Sequence, residues 1–498
     1  MTRISKPLGF PTAGPAPELV GAGFAYETKG AEMLHDGLNL ADIAHVLDLL
    51  DRGVMHRDAA VALLGVILDH ATIADIGYDP ADGEPYNSRE RAFVARIGNA
   101  TGWLHAGRPR REATRLAFRL HLRRATAELI AVAAELAATL TTRADEHRAT
   151  LFPDQTYLQQ AQPSTLGHYL VSFAYPVLRD GRRLDDVVAW LNASPAGAGC
   201  VNGTRLLAER DTMAQRLGFE SVIENTRDAM WQVDGLVQLI STIASLALTQ
   251  TSLAEDLEIW ASSEFDYVDI AEGFSRSSVL MPQKRNPYAL SMIRGMTGVL
   301  IGQVAGTLAV QKSPSARSDN LIFAYGELPT SVDHARRMTE LSSGVVATLT
   351  FNEARLAQVL AAGFTQATDV AEQLMLSCNI DYRSAYQVVG SAVRRLSQSG
   401  RTGADLSVAL LDEVAVELLG GPLGMDPDVL ALALDPAAIV ATRVAPGGAA
   451  PEPMNAMVGD ATVQAAALAD AAAARLDAFD DAEAKLRREA QRVLEGES

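Results

Sequence analysis

Apolar residues along much of this chain return every three or four positions and strict alternation is scarce, which predicts helices packed side by side. Leu129, Ile130, Val132, Leu136 and Leu140 share one helical face, and alanine fills much of the remaining surface. A second pattern begins near Asp228: Met230, Val233, Val237, Ile240, Ala244, Ala247 and Leu248 keep to one side, and no proline intervenes before Trp260. A third spans 289–311, again without proline. Helices this long suit an elongated bundle whose faces are buried by other helices, so the chain reads as mostly α.

The pattern changes character at two places, which predicts three domains. Residues 1–112 mix short helical stretches with turns such as DPADGEPYNS and read as an N-terminal domain. Residues 113–362 carry the long helices, and AAGFTQAT at 361–368 interrupts them. Residues 363–498 have shorter helices, the loop APGGAAPEP and a final alanine-rich, charged helical stretch from Asp460, which predicts a helical C-terminal domain.

Composition narrows the function classes. The 498 residues suffice for about three ordinary domains or one large helical body. With 43 basic against 61 acidic residues the net charge is -18, which argues against nucleic-acid and anionic-membrane partners and asks any anionic substrate to find local arginines or lysines. The opening MTRISKPLGFPTAGPAPELVG has proline and glycine where a secretory signal needs an apolar run, so a cytoplasmic protein is expected. The apolar stretch 129–140 is interrupted by Glu135, and no segment is expected to span a membrane. Cys200 and Cys378 lack CxxC spacing, which predicts two packed thiols in a reducing compartment, without disulfide or zinc.

The segment 277–287, SSVLMPQKRNP, concentrates the candidate chemistry. Pro282 and Pro287 restrict the backbone, Lys284 and Asn286 can offer a positive charge and an amide to one anion, and Ser277 and Ser278 precede them. A serine alkoxide becomes reachable where backbone amides and a helix N-terminus stabilise its charge, and it can then take a Cβ proton from a succinate-like group. The plain alternative is a polar loop before a helix with Ser278 as a capping residue.

This segment resembles the signature loop of the aspartase/fumarase superfamily, GSSxMPxKxNP, and other matches point to the argininosuccinate lyase branch. TYLQQAQPSTLGHY at 156–169 is similar to THLQxAQPxTxGHY, and LHAGRPRREA at 104–113 to LHTGRSRNDQ; SPAGAGCVNGT at 194–204 and APGGAAPE at 445–452 also look like that branch. The resemblance implies a three-domain fold with a central bundle of long helices, a homotetramer with a 20-helix core, and active sites built from three chains that cleave C–N or C–O bonds by β-elimination, usually releasing fumarate. It places the catalytic serine at Ser278, the carboxylate-binding pair at Lys284 and Asn286, substrate contacts at Thr156 and Gln159, and the loop methionine at Met281. It implies neither cofactor nor metal, and a small dicarboxylate or N-substituted aspartate as substrate.

The departures fall on one side of that implied site. The histidine of THLQ is Tyr157 here, and the glutamate that pairs with it in the family falls at Ser291. Losing the imidazole removes the reason for the carboxylate that orients it. A phenol can donate a proton or a hydrogen bond, so Tyr157 is the candidate acid, with passive packing as its alternative. Pro109, Arg111, Glu112 and Ala113 replace the family's serine, asparagine, aspartate and glutamine, while Arg108 and Arg110 remain; Arg108, Arg110 and Arg111 are candidate substrate contacts or helix-surface charges. Where the family has a YNKD-type loop this chain reads ARSDN at 316–320, which makes Arg317 a candidate anion contact or a solvated arginine. His105 and His168 read as hydrogen-bonded structural residues. The expected activity is a C–N lyase releasing fumarate and an amine from an argininosuccinate-like N-substituted aspartate, or the reverse addition. An arginine-pathway argininosuccinate lyase and a catalytically silent structural relative are the alternatives.

Overall fold

The structure, a computed structural model, describes residues 14–70, 72–207, 209–316 and 319–496. Seven helices position everything else: α1 (Ala31–Asp51), α2 (Arg110–Glu146), α3 (Leu166–Leu191), α4 (Asp234–Trp260), α5 (Tyr288–Gln311), α6 (Ala324–Thr348) and α7 (Pro451–Glu495). Helix α2 is the hub, packing against α1, α3, α6 and α7, while α4 joins α3, α5 and α6. At 1.5 Å per residue its 37 residues span roughly 55 Å, long enough to hold remote segments in fixed relation. Close approach requires small residues: a Cβ on Gly37 of α1 would lie 2.6 Å from the Ala117 backbone.

The apolar stripes meet in one large cluster that includes Leu129, Ile130, Leu136 and Leu140 of α2 with Leu170 and Leu184 of α3 and Ile240 and Leu257 of α4. Val132 of the expected α2 face is only half-buried. A second cluster joins the other side of α1 to the helices Arg57–Asp69 and Pro85–Ile97, and Leu486 and Ala490 near the end of α7 return to it. A third, around Val370, Val388, Leu396 and Leu411, belongs to short helices between Ala367 and Leu434.

Three sequence expectations need correcting. The pattern from Asp228 is two helices, because Gln232 adopts an extended backbone after Thr226–Trp231 and α4 restarts at Asp234; Leu248, assigned to the buried face, is 49% exposed. By length and composition α2, α4 and α5 are each apolar enough to cross a membrane, since one glutamate among alanines and leucines leaves the stretch apolar overall. In α2 and α4 56% of the apolar window is buried within the chain, but in α5 only 22% is, leaving Met292 and Val299 exposed on one flank of its buried stripe and Ile301 and Leu308 on the other. Cys200 is exposed rather than packed, and it and the half-buried Cys378 are free thiols.

Candidate active site

The serine loop leaves α4 and returns into α5. Arg276–Ser277 pairs antiparallel with Arg285–Asn286, the Ser278 N–H donates to the Lys284 carbonyl at 3.1 Å, and the Lys284 N–H donates to the Met281 carbonyl at 3.0 Å. The loop is thereby closed on itself. Ser278 Oγ accepts the N–H groups of Met281 at 3.0 Å and Leu280 at 3.3 Å, two dipoles aimed at the atom that would carry alkoxide charge. Asn286 Nδ2 donates to the Arg276 carbonyl at 3.0 Å, and an Arg285–Asp269 ion pair ties the loop to the preceding strand. Lys284 and Met281 are exposed, and Val279 and Leu280 stand almost entirely in solvent.

Thr156 and Gln159 sit at the tip of a hairpin of β1 (Leu151–Thr156) and β2 (Gln159–Thr165), where they pair across a two-residue turn. The turn is Tyr157 and Leu158, both left-handed at φ 56° and 57°, and the Tyr157 side chain is 98% exposed. Beside the hairpin lies a cavity of about 290 Å³ lined by Thr156, Gln162, His168, Arg443 and Gly447 among others. His168 Nε2 is 2.9 Å from the Gly447 carbonyl, and Arg443 grips both carboxylate oxygens of Asp369 at 2.7 and 2.8 Å, so both act as braces for this wall.

The arginines of 108–111 divide. Arg108 is buried, donating to Asp42 at 2.6 Å, to the Tyr86 hydroxyl at 2.8 Å and to the Ala41 carbonyl at 3.0 Å, while Arg89 holds the other Asp42 oxygen at 2.8 Å. Its guanidinium is engaged inside the protein, which replaces the expectation of a substrate contact there. Burial alone would raise the Asp42 acid, but Arg108 and Arg89 outweigh it and hold the carboxyl below its usual range. Arg110 bonds Asn87 and lies 3.2 Å from Glu84, and Arg111 is 3.5 Å from Glu27; both remain half-buried. Arg110 lines a cavity of about 630 Å³ with His105, Gly107, Cys200, Asn202 and Thr204. His105 itself lies 3.5 Å from Glu90.

These two cavities share no lining residue, and Ser278, Lys284 and Asn286 line neither. Arg317 lies outside the described residues. Ser291 donates to Glu258 of α4 at 3.3 Å, so a carboxylate does stand beside the position where the family's glutamate is lost, although Arg294 already pairs with it. Glu258 and Asp42 carry no sequence signal of a site, because acidic residues on helices read as surface charge until their partners are known, and Glu112 is visible in the sequence only as a departure from the family motif.

A mostly helical chain with a long-helix bundle, a closed serine-lysine-asparagine loop and a threonine hairpin defines a lyase of the aspartase/fumarase type. The lyase family matches residues 69–302, and the argininosuccinate lyase C-terminal family matches 364–441. An argininosuccinate lyase of Mycobacterium leprae is 35% identical over 416 residues, covering 82% of this chain and 87% of its own. A variant of EDDS lyase with bound fumarate superposes with a TM-score of 0.86 at 24% identity, covering 97% of both chains, and a class II fumarase of Schistosoma mansoni superposes at 0.68 with 14% identity, covering 82% of this chain and 90% of its own. The chain belongs to the argininosuccinate lyase family, and it is a carbon–nitrogen lyase.

Proposed function

We propose that the protein eliminates an amine from an N-substituted aspartate, releasing fumarate, or runs the addition in reverse. The observation that carries this is the pair of amides on Ser278 Oγ within a loop that also presents Lys284 and Asn286. Ser278 takes the Cβ proton; Lys284, Asn286, Thr156 and Gln159 hold the carboxylates, with Met281 against the substrate's carbon chain; electrons from the broken C–H bond form the C=C bond as the C–N bond breaks. The nitrogen leaves with the bonding pair and takes a proton, for which Tyr157 is the donor. The cavity carrying Arg110 receives the amine half, and Arg111 and Arg317 are further anion contacts.

The site is completed by neighbouring copies in a homotetramer with a 20-helix core; the absence of the serine-loop residues from both cavities and the exposed apolar residues of α5 support this reading. Division at 112 and 362 into three domains, and a cytoplasmic location, complete the reading. Argininosuccinate is the second substrate reading, favoured by the likeness to the Mycobacterium leprae enzyme over most of both chains. Incubating the protein with fumarate and a panel of amines, arginine included, should give an adduct visible by mass spectrometry and absent in Ser278→Ala. No adduct with any amine would sink the reading; rescue of an arginine auxotroph would select argininosuccinate.

A further inference from the structure

One buried carboxylate has no role in the elimination above. Glu112, on the first turn of α2, is fully buried, and its two oxygens accept the N–H groups of Gly197 and Gly199 at 2.7 Å each. From the other side Arg210 donates to the carbonyls of Ala196 and Ile223, each at 2.7 Å. The loop 194–204 is thus gripped by one side chain that accepts its amides and another that donates to its Ala196 and Ser194 carbonyls while also holding Ile223 beyond it. Its shape depends on glycine: Gly197 and Gly199 are left-handed at φ 70° and 61°, and a Cβ on Gly199 would lie 2.6 Å from the Gly203 carbonyl oxygen.

This loop forms one wall of the 630 Å³ cavity through Cys200, Asn202 and Thr204, and the segment from His105 to Arg110 forms the other. Glu112 belongs to the same helical turn as Arg110 yet is bonded to the opposite wall. We propose that Glu112 is a positioning residue whose carboxylate fixes the loop 194–204 against the turn carrying Arg110, and so sets the width of the cavity that receives the amine half of the substrate. This rests on the assignment of that cavity made above.

The clamp requires the ionised form, because a carboxylic acid turns an O–H toward one of the two amides and forfeits a bond. Burial pushes the Glu112 acid up to about 7, opposed by the Gly197 and Gly199 amides and by Arg108 and Arg210, the charged groups that face it. The wall is therefore tight above that pH and slack below it.

Hydrogen exchange of the peptide covering 194–204 in the full-length protein, corrected for intrinsic rates, should show about tenfold stronger protection at pH 8 than at pH 6. In Glu112→Gln that difference should vanish while KM for the amine rises about tenfold and kcat changes less, and Glu112→Asp should recover part of the loss. Equal protection at both pH values in the native protein would overturn the proposal, and that arm stands even if the variants fail to fold. A Glu112→Gln protein with unchanged KM would overturn it as well. Exchange that behaves as expected in a protein that joins no amine to fumarate leaves the clamp standing and removes the proposed reaction instead.

Discussion

The Asp42 network and the serine loop are both dense in polar residues, yet they stand in opposite relation to water. Asp42, Arg89 and Arg108 are buried in the helical layer around α1, and their charges answer one another at 2.6 to 2.8 Å. The serine loop holds its shape with backbone pairing and leaves Lys284, Val279 and Leu280 exposed. The difference separates charge that holds a fold from charge that can meet a ligand. An arginine next to a family motif belongs to the first kind when a buried carboxylate already fills its donors, and Arg108 shows this where sequence could not.

The contrast can be broken by variants that exchange activity and stability. Ser278→Ala should lower turnover about 10³-fold or more, equivalent to about 4 kcal/mol of barrier, while thermal unfolding stays unchanged. Retained activity with a lowered melting point would reverse the assignment. Asp42→Ala strands two buried guanidinium groups and should cost about 3–5 kcal/mol in denaturant unfolding. Lys284→Met should reduce kcat/KM roughly 10²-fold with unfolding again unaffected; an equal loss of stability would make Lys284 structural.

The smallest effect is in pH dependence. Asp42, with its pKa held low, contributes stability that is present above its unfolded value and lost as pH falls through the folded one. Glu112, raised to about 7, has the opposite sign: it binds a proton more readily when folded, so its contribution is full below the unfolded value and declines as pH rises toward about 7. Unfolding free energies measured from pH 4 to 8 should therefore lose a falling component, on the order of 1 kcal/mol, in Glu112→Gln. An identical curve for the variant would mean that Glu112 does not titrate in that range.

Helical periodicity made the bundle legible, because a stripe repeated over several turns has few alternative meanings; α5 is where the pattern placed it, and the stripe at 129–140 is one part of α2, which extends well beyond it on both sides. The break before Asp234 was not legible, since neither Gln232 nor Val233 is proline or glycine, and the extended Gln232 is bonded to Arg119 of α2, a partner far away in sequence. Motif spacing brought out Ser278, Lys284 and Asn286 as one loop. It could not report that Arg108 faces inward, because Asp42 lies 66 residues away in sequence and only packing makes them neighbours. Glu112 stands out in the sequence only as a departure from the family motif; its bonds to the loop were illegible because its partners are backbone amides, which every residue but proline possesses.

The hairpin tip has a consequence for redesign. Two-residue turns of this hand favour Asn-Gly, yet Tyr157 and Leu158 hold the positions, so the strand ladder imposes the bend against local preference. Since the Tyr157 ring touches almost nothing within its own chain, the tip acts as an interchangeable socket. A library confined to position 157 could sample different side chains on a constant scaffold, and asparagine there would tell how much stability the present residue forgoes.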